Sequence, residues 1–165
     1  KTLLQQITAT ALDTASPVVV VLGANADNIR EDIAGMAATI VINTAWPTGM
    51  ASSIQTGMQA ILRMPVAVSS VLFLLCDQPF VSSSLLQELI SSHRQGGKGI
   101  SACAYNNTLG TPALFSKDYF PQLLTLTGQE GAKKIILQHP EDVITINFPE
   151  GAIDIDTPGD LEKLR

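Results

Sequence analysis

The chain has 165 residues, a formal net charge of −5, an ordinary apolar fraction and few aromatics, which bounds it to one domain with a largely aliphatic core. The acidic balance excludes a nucleic-acid groove, which needs a basic stripe, and Lys133–Lys134 is the one adjacent basic pair. No apolar run reaches the ~20 residues of a membrane span, no secretory signal is read before the first helix, and Cys76 and Cys103 each sit in an apolar run as small buried hydrophobes; the expected setting is reducing and cytoplasmic.

Residues 3–12 place Leu3, Leu4, Ile7, Ala11 and Leu12 on one helical face, with Thr2 as the cap. "SPVVVVLG" is a continuous β-branched run closed by Gly23, which predicts a strand buried on both faces. "ADNIREDIAG" predicts a short helix, "ATIVIN" a strand, "TAWPTG" a loop and "MASSIQTGMQAILRM" a helix. "SVLFLLC" predicts a strand and "SSSLLQELISSHRQ" a helix, followed by strands at "GISACAYN" and "TPALFS" and helices over 118–126 and 130–138. "DVITINF" and "AIDID" predict short strands. "TPGDLEKLR" opens a last helix with Thr157 as N-cap, Pro158 at the first position and Asp160 completing a capping-box pattern.

Strands alternating with helices predict an α/β sheet covered on both faces, and the back-to-back strands near 100–116 and 143–155 predict a mixed one. No internal repeat and no boundary divides residues 1–165, so a single domain is expected. In open sheets of this kind ligands bind beyond the carboxyl ends of the strands, where Asn43, Asp77, Asn106 and Asp154 or Asp156 fall.

Four stretches carry candidate chemistry. "FLLCDQPF" ends an apolar strand on Asp77. Alone, such an Asp reads as a turn or cap residue, but "IDIDTPGD" puts Asp154 and Asp156 at a second strand end. Two carboxylates with a substrate phosphate are what a hard cation such as Mg²⁺ takes. "WPTGMASSIQTG" places Gly49 where backbone can approach a ligand and Ser52 and Ser53 in a first helical turn, suited to an anion or nucleotide, or simply to capping. In "NNTLGTPALF", Gly110 and Pro112 bracket a tight strand entry. In "TGQEGAKKI", Gly128 and Gly131 mark a loop whose lysines face phosphate or water. The dinucleotide G-x-G-x-x-G and the phosphate loop G-x-x-x-x-G-K-[ST] are absent. His93 and His139 read as surface residues with no nucleophile at a readable spacing.

Together "WPTGMASSIQTG", "LLCDQPFV", "LGTPALF" with "GQEGAKKI", and "IDIDTPGDL" resemble, in order and spacing, the nucleotidyltransferases of molybdenum cofactor maturation. The resemblance is to the cytidylyltransferase branch, with the guanylyltransferase as sister. It implies a three-layer α/β/α Rossmann-like nucleotidyltransferase fold with a mostly parallel, mixed sheet. It also implies Mg²⁺-dependent transfer of CMP from CTP to molybdopterin with release of pyrophosphate; GMP from GTP is the sister reaction. By the same resemblance Asp77 is the catalytic and metal-binding carboxylate, shared with Asp154 and Asp156, the first of these preferred. Gly49, Met50, Ser52 and Ser53 border the nucleotide, and Gly110 and Pro112 border the pterin. A molybdoenzyme or its maturation factor is a further implied partner. The family opens with a strand and a Gly-rich loop ending in a basic residue and Lys; these residues begin after that loop, so the sequence is expected to be part of a longer one. A non-catalytic protein that only delivers the cofactor is the rival reading, and a flavodoxin-like or receiver-like module leaves "IDIDTPGDL" unexplained.

Overall fold

The computed structural model describes residues 1–162. Helix α1 (Leu3–Thr14) starts at the expected cap: Gln5 N–H donates to Thr2 Oγ1 at 3.1 Å and Thr2 N–H to Gln5 Oε1 at 2.8 Å, satisfying two donors that a helix start leaves unpaired. Strand β1 (Val19–Leu22) follows, then α2 (Ala26–Ile29), continued by a 3₁₀ turn at Arg30–Ile33, and β2 (Thr39–Ile42). A 3₁₀ turn at Trp46–Thr48 leads into α3 (Met50–Leu62) and β3 (Ser70–Phe73). Helix α4 (Ser83–Gly96) is capped by Ser82, whose Oγ accepts from Leu85 N–H at 3.2 Å, and closed by Gly97 at φ 67°.

Strands β4 (Ile100–Tyr105) and β5 (Thr108–Ser116) form a hairpin. Asn106 and Asn107, both at positive φ (54° and 57°), make its two-residue turn, as right-twisted hairpins require. Asn106 follows the carboxyl end of β4, as expected, and serves there as a turn residue. Helices α5 (Phe120–Leu124) and α6 (Ala132–Gln138), strand β6 (Val143–Asn147) and α7 (Pro158–Glu162) complete the described chain. The predicted helix over 118–126 is shorter, because a 3₁₀ turn occupies Lys117–Tyr119. The predicted strand "AIDID" does not form: a 3₁₀ turn covers Pro149–Ala152 and 153–157 run without a ladder. Thr157 does cap α7, its Oγ1 accepting from Asp160 N–H at 3.2 Å and its N–H donating to Asp160 Oδ2 at 3.1 Å.

The sheet is mixed and comes in two pieces. β1 and β2 pair in parallel, and a four-stranded piece has the order β3-β5-β4-β6, antiparallel across β3-β5 and β5-β4 and parallel across β4-β6. Helices cover both faces. Ile54 and Met58 of α3, Phe120 and Leu123 of α5 and Ile135 and Ile136 of α6 pack around Phe115 on one face. Leu85, Leu86 and Leu89 of α4 pack with Cys103, Ile146 and Phe148 on the other, and α1 lies against α4. Leu86 and Leu89 are fully enclosed, each worth about 1.5–3 kcal/mol of hydrophobic transfer.

Between β1 and β3 the sheet is open. Among the described residues, the edge of β1 away from β2 and the edge of β3 away from β5 have no ladder partner. Both border one cavity of about 2190 Å³, walled by α1, α3 and α4. The gap explains an overturned expectation. The run at β1 reads as buried on both faces, yet Val19, Val20 and Val21 are only half-buried, as are Leu72 and Phe73 of β3. It also explains Cys76, read as buried but exposed: pairing stops at Phe73 and the chain leaves the core. Cys103, paired within β4, is buried as expected.

Candidate functional site

Asp77 lies in the turn after β3, next to Cys76, which lines the gap. Its carbonyl accepts the N–H of Ile155 at 2.8 Å, so the 154–156 segment is tied directly to the end of β3. One carboxylate oxygen of Asp77, Oδ1, is buried with no hydrogen-bond partner among the described residues. Burial first, then the charges of Asp154 and Asp156, push the Asp77 carboxyl above the usual range. The sequence-predicted acidic residues are thus brought together. Asp154 and Asp156 are exposed, and among the described residues no group of three His, Cys, Asp or Glu side chains is arranged to hold a metal ion. The donors present are two or three carboxylates, all hard oxygen, with one buried oxygen without a partner among the described residues. That chemistry fits Mg²⁺ or Mn²⁺ completed by substrate phosphate and water, and does not fit a soft or closed metal site.

The second flank is the start of α3. Asn43, buried at the end of β2, donates from Nδ2 to Ser52 Oγ at 2.8 Å and Ser53 Oγ at 3.0 Å and accepts from Ala45 N–H at 3.0 Å. Ser52 passes its own proton to the Gly49 carbonyl at 2.8 Å, so its hydroxyl is used within the protein. Ser53 only accepts, and among the described residues its proton has no acceptor. It lines the cavity.

Gly49 is required by packing. It sits at φ 122°, and a Cβ there would lie 2.2 Å from the Gly128 carbonyl oxygen, which also accepts the N–H of Ala51 at 3.2 Å. One first-turn donor of α3 is therefore already taken, contrary to the expectation of a free helix start. Met50 is exposed, its sulfur 2.9 Å from the position a Cβ on Gly131 would take. The loop 46–50 and the loop 128–131 thus pack on one another. The two lysines divide: Lys134 pairs with Glu130 one turn away, and Lys133, exposed, borders the cavity.

Gly110 and Pro112 are buried in β5 beside the Asp77 turn. A Cβ on Gly110 would fall 2.5 Å from the Tyr105 hydroxyl, and the Thr111–Pro112 peptide is cis. They are joined to the turn by Gln78, which sequence reasoning passed over. Its side chain is 3% exposed and reaches Thr111, Gly151 and Tyr105. A polar residue after a strand reads as a turn residue, and only its tertiary partners distinguish it.

Neither histidine is a free surface group. His93 Nδ1 lies 3.4 Å from Ser101 Oγ, with burial lowering its pKa. His139 packs edge-on to Tyr119 at 5.1 Å and lies 3.2 Å from Gln122 Oε1. Among the described residues no helix is long and apolar enough to cross a membrane.

Ser53, Gly49 and Met50 on one flank and Cys76, Gly110 and Thr111 on the other line the same cavity. The cavity thus carries a hydroxyl donor on one wall, while Asp77, which follows the cavity-lining Cys76, gathers with Asp154 and Asp156 just outside the lining.

Comparison with known proteins agrees with this architecture. Residues 1–143 match the family described as MobA-like NTP transferase domain. A curated relative, the nicotine blue oxidoreductase of Paenarthrobacter nicotinovorans, is 31% identical over 157 residues, 89% of this chain and 74% of that protein. A crystal structure of the Mycobacterium tuberculosis rv0371c homolog from Mycobacterium sp. strain JC1 superimposes with a TM-score of 0.81 at 28% identity, over 99% of this chain and 81% of that one. Rv0371c of M. tuberculosis H37Rv in complex with manganese shares the fold, with a TM-score of 0.72 at 24% identity over 96% and 85% of the two chains. The chain belongs to the MobA-like NTP transferase family and is an enzyme of the nucleotidyltransferase class.

Proposed function

We propose that the protein transfers CMP from CTP to the terminal phosphate of molybdopterin and releases pyrophosphate. The observation that carries this reading is the meeting of Asp77 with Asp154 and Asp156 beyond the end of β3, with one Asp77 oxygen buried and without a partner among the described residues. An acceptor phosphate oxygen attacks the α-phosphorus of CTP, the bond to the β-phosphate oxygen breaks, and its electron pair leaves with pyrophosphate. No covalent intermediate on the protein is needed, so positioning and electrostatics supply the rate enhancement. Asp77, with Asp154 or Asp156, would hold a divalent cation, Mg²⁺ by preference. The bound ion would neutralise charge on the phosphates and help align attack. The manganese complex of the structurally similar Rv0371c supports a divalent ion in this fold.

The chain's own residues do the rest. Ser53, whose proton has no acceptor within the described protein, donates to the nucleotide from the α3 start. Gly49 and Met50 shape that wall, and the Gly110–Pro112 segment borders the acceptor. The open edges of β1 and β3 can take a further strand between them. The partners are then CTP, molybdopterin and a receiving molybdoenzyme or its maturation factor, in the cytoplasm. GTP is the alternative donor. The test is pyrophosphate release with CTP or GTP, molybdopterin and Mg²⁺. Release that needs molybdopterin and favours CTP supports the reading; none with either nucleotide, while both bind, favours the non-catalytic delivery protein.

A second reading rests on the 31% identity to a protein named nicotine blue oxidoreductase: the same cleft would bind a flat heteroaromatic substrate for reduction. Loss of nicotine blue colour on adding protein and reduced nicotinamide cofactor would favour it.

A further inference from the structure

We propose that Gln78 is a positioning residue whose buried carboxamide sets the approach of Asp77 to the 154–156 segment and thereby the cation affinity of the site. This rests on the two-carboxylate site proposed above. Gln78 follows Asp77 directly, and its Nε2 donates to the Thr111 carbonyl at 3.1 Å and the Gly151 carbonyl at 3.2 Å, with the Tyr105 hydroxyl at 3.4 Å. Its Oε1 accepts from Thr111 Oγ1 at 3.4 Å. One side chain therefore joins three segments: the Asp77 turn, the irregular middle of β5 and the turn that leads into Asp154.

Each contact answers a local need. Among the described residues, Thr111 and Pro112 have no partner in the ladder to β3 or to β4, where the register shifts. At this irregularity Gln78 gives the Thr111 carbonyl a donor, as buried carbonyls require. The Gly151 turn has no slack, since a Cβ there would fall 2.6 Å from the Tyr105 ring and 2.7 Å from that of Phe148. Ile155 N–H on the Asp77 carbonyl at 2.8 Å is a second tie four residues further on. Like charges on Asp77, Asp154 and Asp156 drive the two segments apart. The amide of Gln78 opposes that without adding charge. An unbranched apolar residue of similar length fills the space and cannot donate.

The experiment titrates Mn²⁺ by electron paramagnetic resonance against wild type, Gln78→Met and Leu89→Ala. The last truncates a fully buried residue on the far core cluster and controls for stability. Gln78→Met is expected to bind Mn²⁺ at least tenfold more weakly, and Leu89→Ala within twofold of wild type despite a lower Tm. A folded Gln78→Met that binds within twofold of wild type overturns the proposal, as does equal weakening by Leu89→Ala. Should Gln78→Met not fold, the double variant Tyr105→Phe/Thr111→Val strips the amide of its side-chain partners. At least threefold weaker binding is then expected, and unchanged binding overturns the proposal. Wild type that binds no Mn²⁺ sinks the carboxylate site and the clamp together; wild-type binding with unchanged variants sinks the clamp alone.

Discussion

Replacing Asp77 by Asn should have opposite effects on stability with and without metal. The carboxyl of Asp77 is raised by burial and by Asp154 and Asp156, so its folded-state pKa lies above its unfolded value. Such a group contributes stability below the unfolded pKa and loses it as pH rises through the folded pKa. Without metal at neutral pH the charged form is a liability. Asp77→Asn should therefore match or exceed wild type, with its advantage growing from acid pH towards neutrality. Saturating Mn²⁺ reverses the order. A ligand at one hundred times its Kd stabilises the folded state by about 2.7 kcal/mol, and for a chain of this size each kcal/mol moves Tm by roughly 2–4 °C. Wild type should then rise by about 5–11 °C while Asp77→Asn moves little, and turnover in the variant should fall by about two to three orders of magnitude, the loss seen when a transition-state charge partner is removed. Thermal scans at several pH values, with and without Mn²⁺, check this. Equal metal-induced shifts in both proteins, or a metal-free variant markedly less stable than wild type at neutral pH, would refute the reasoning.

Further outcomes follow from other contacts. Tyr119 donates to Asp142 Oδ2 at 2.5 Å, and that bond, with Gly99 N–H at 3.0 Å, holds the Asp142 carboxyl below its usual range. Tyr119→Phe should cost about 1–2 kcal/mol at neutral pH, towards the low end for charged hydrogen bonds because the pair partly faces water. A depressed folded pKa gives stability above the unfolded pKa that is lost as pH falls through the folded one, so the difference in urea midpoint should close in strong acid. Gly49→Ala, at φ 122° and facing the Gly128 carbonyl, should lose about 1–3 kcal/mol from backbone strain alone, read as a lowered Tm. Hydrogen exchange should find the β4 and β5 amides the slowest and those of β1 and β3 that face the gap among the fastest strand amides; uniformly slow β1 and β3 would contradict the open edges.

Much of the fold was legible because local signals agreed with it. The Thr2 cap, the helices α3 and α4 and the β-branched run at β1 all fell where expected. What failed was set by distant partners. The valines of β1 read as enclosed because periodicity assumes neighbours on both sides, and here one side is open. "AIDID" alternates like a strand, yet its one main-chain tie to the Asp77 turn replaces a ladder. Asp77, Asp154 and Asp156 could be named because carboxylates after strands are conspicuous. Gln78 could not, since nothing local separates a clamp from a turn residue. Gly49 was identified for close approach, but what approaches is the Gly128 carbonyl.

The central claim is that Asp77 and the 154–156 segment share one cation. An anomalous difference map from crystals grown with Mn²⁺ and CTP addresses it directly. The account predicts one strong peak in contact with a carboxylate oxygen of Asp77 and one of Asp154 or Asp156. A peak elsewhere on the cleft, or Asp77 turned away from the ion, would contradict it.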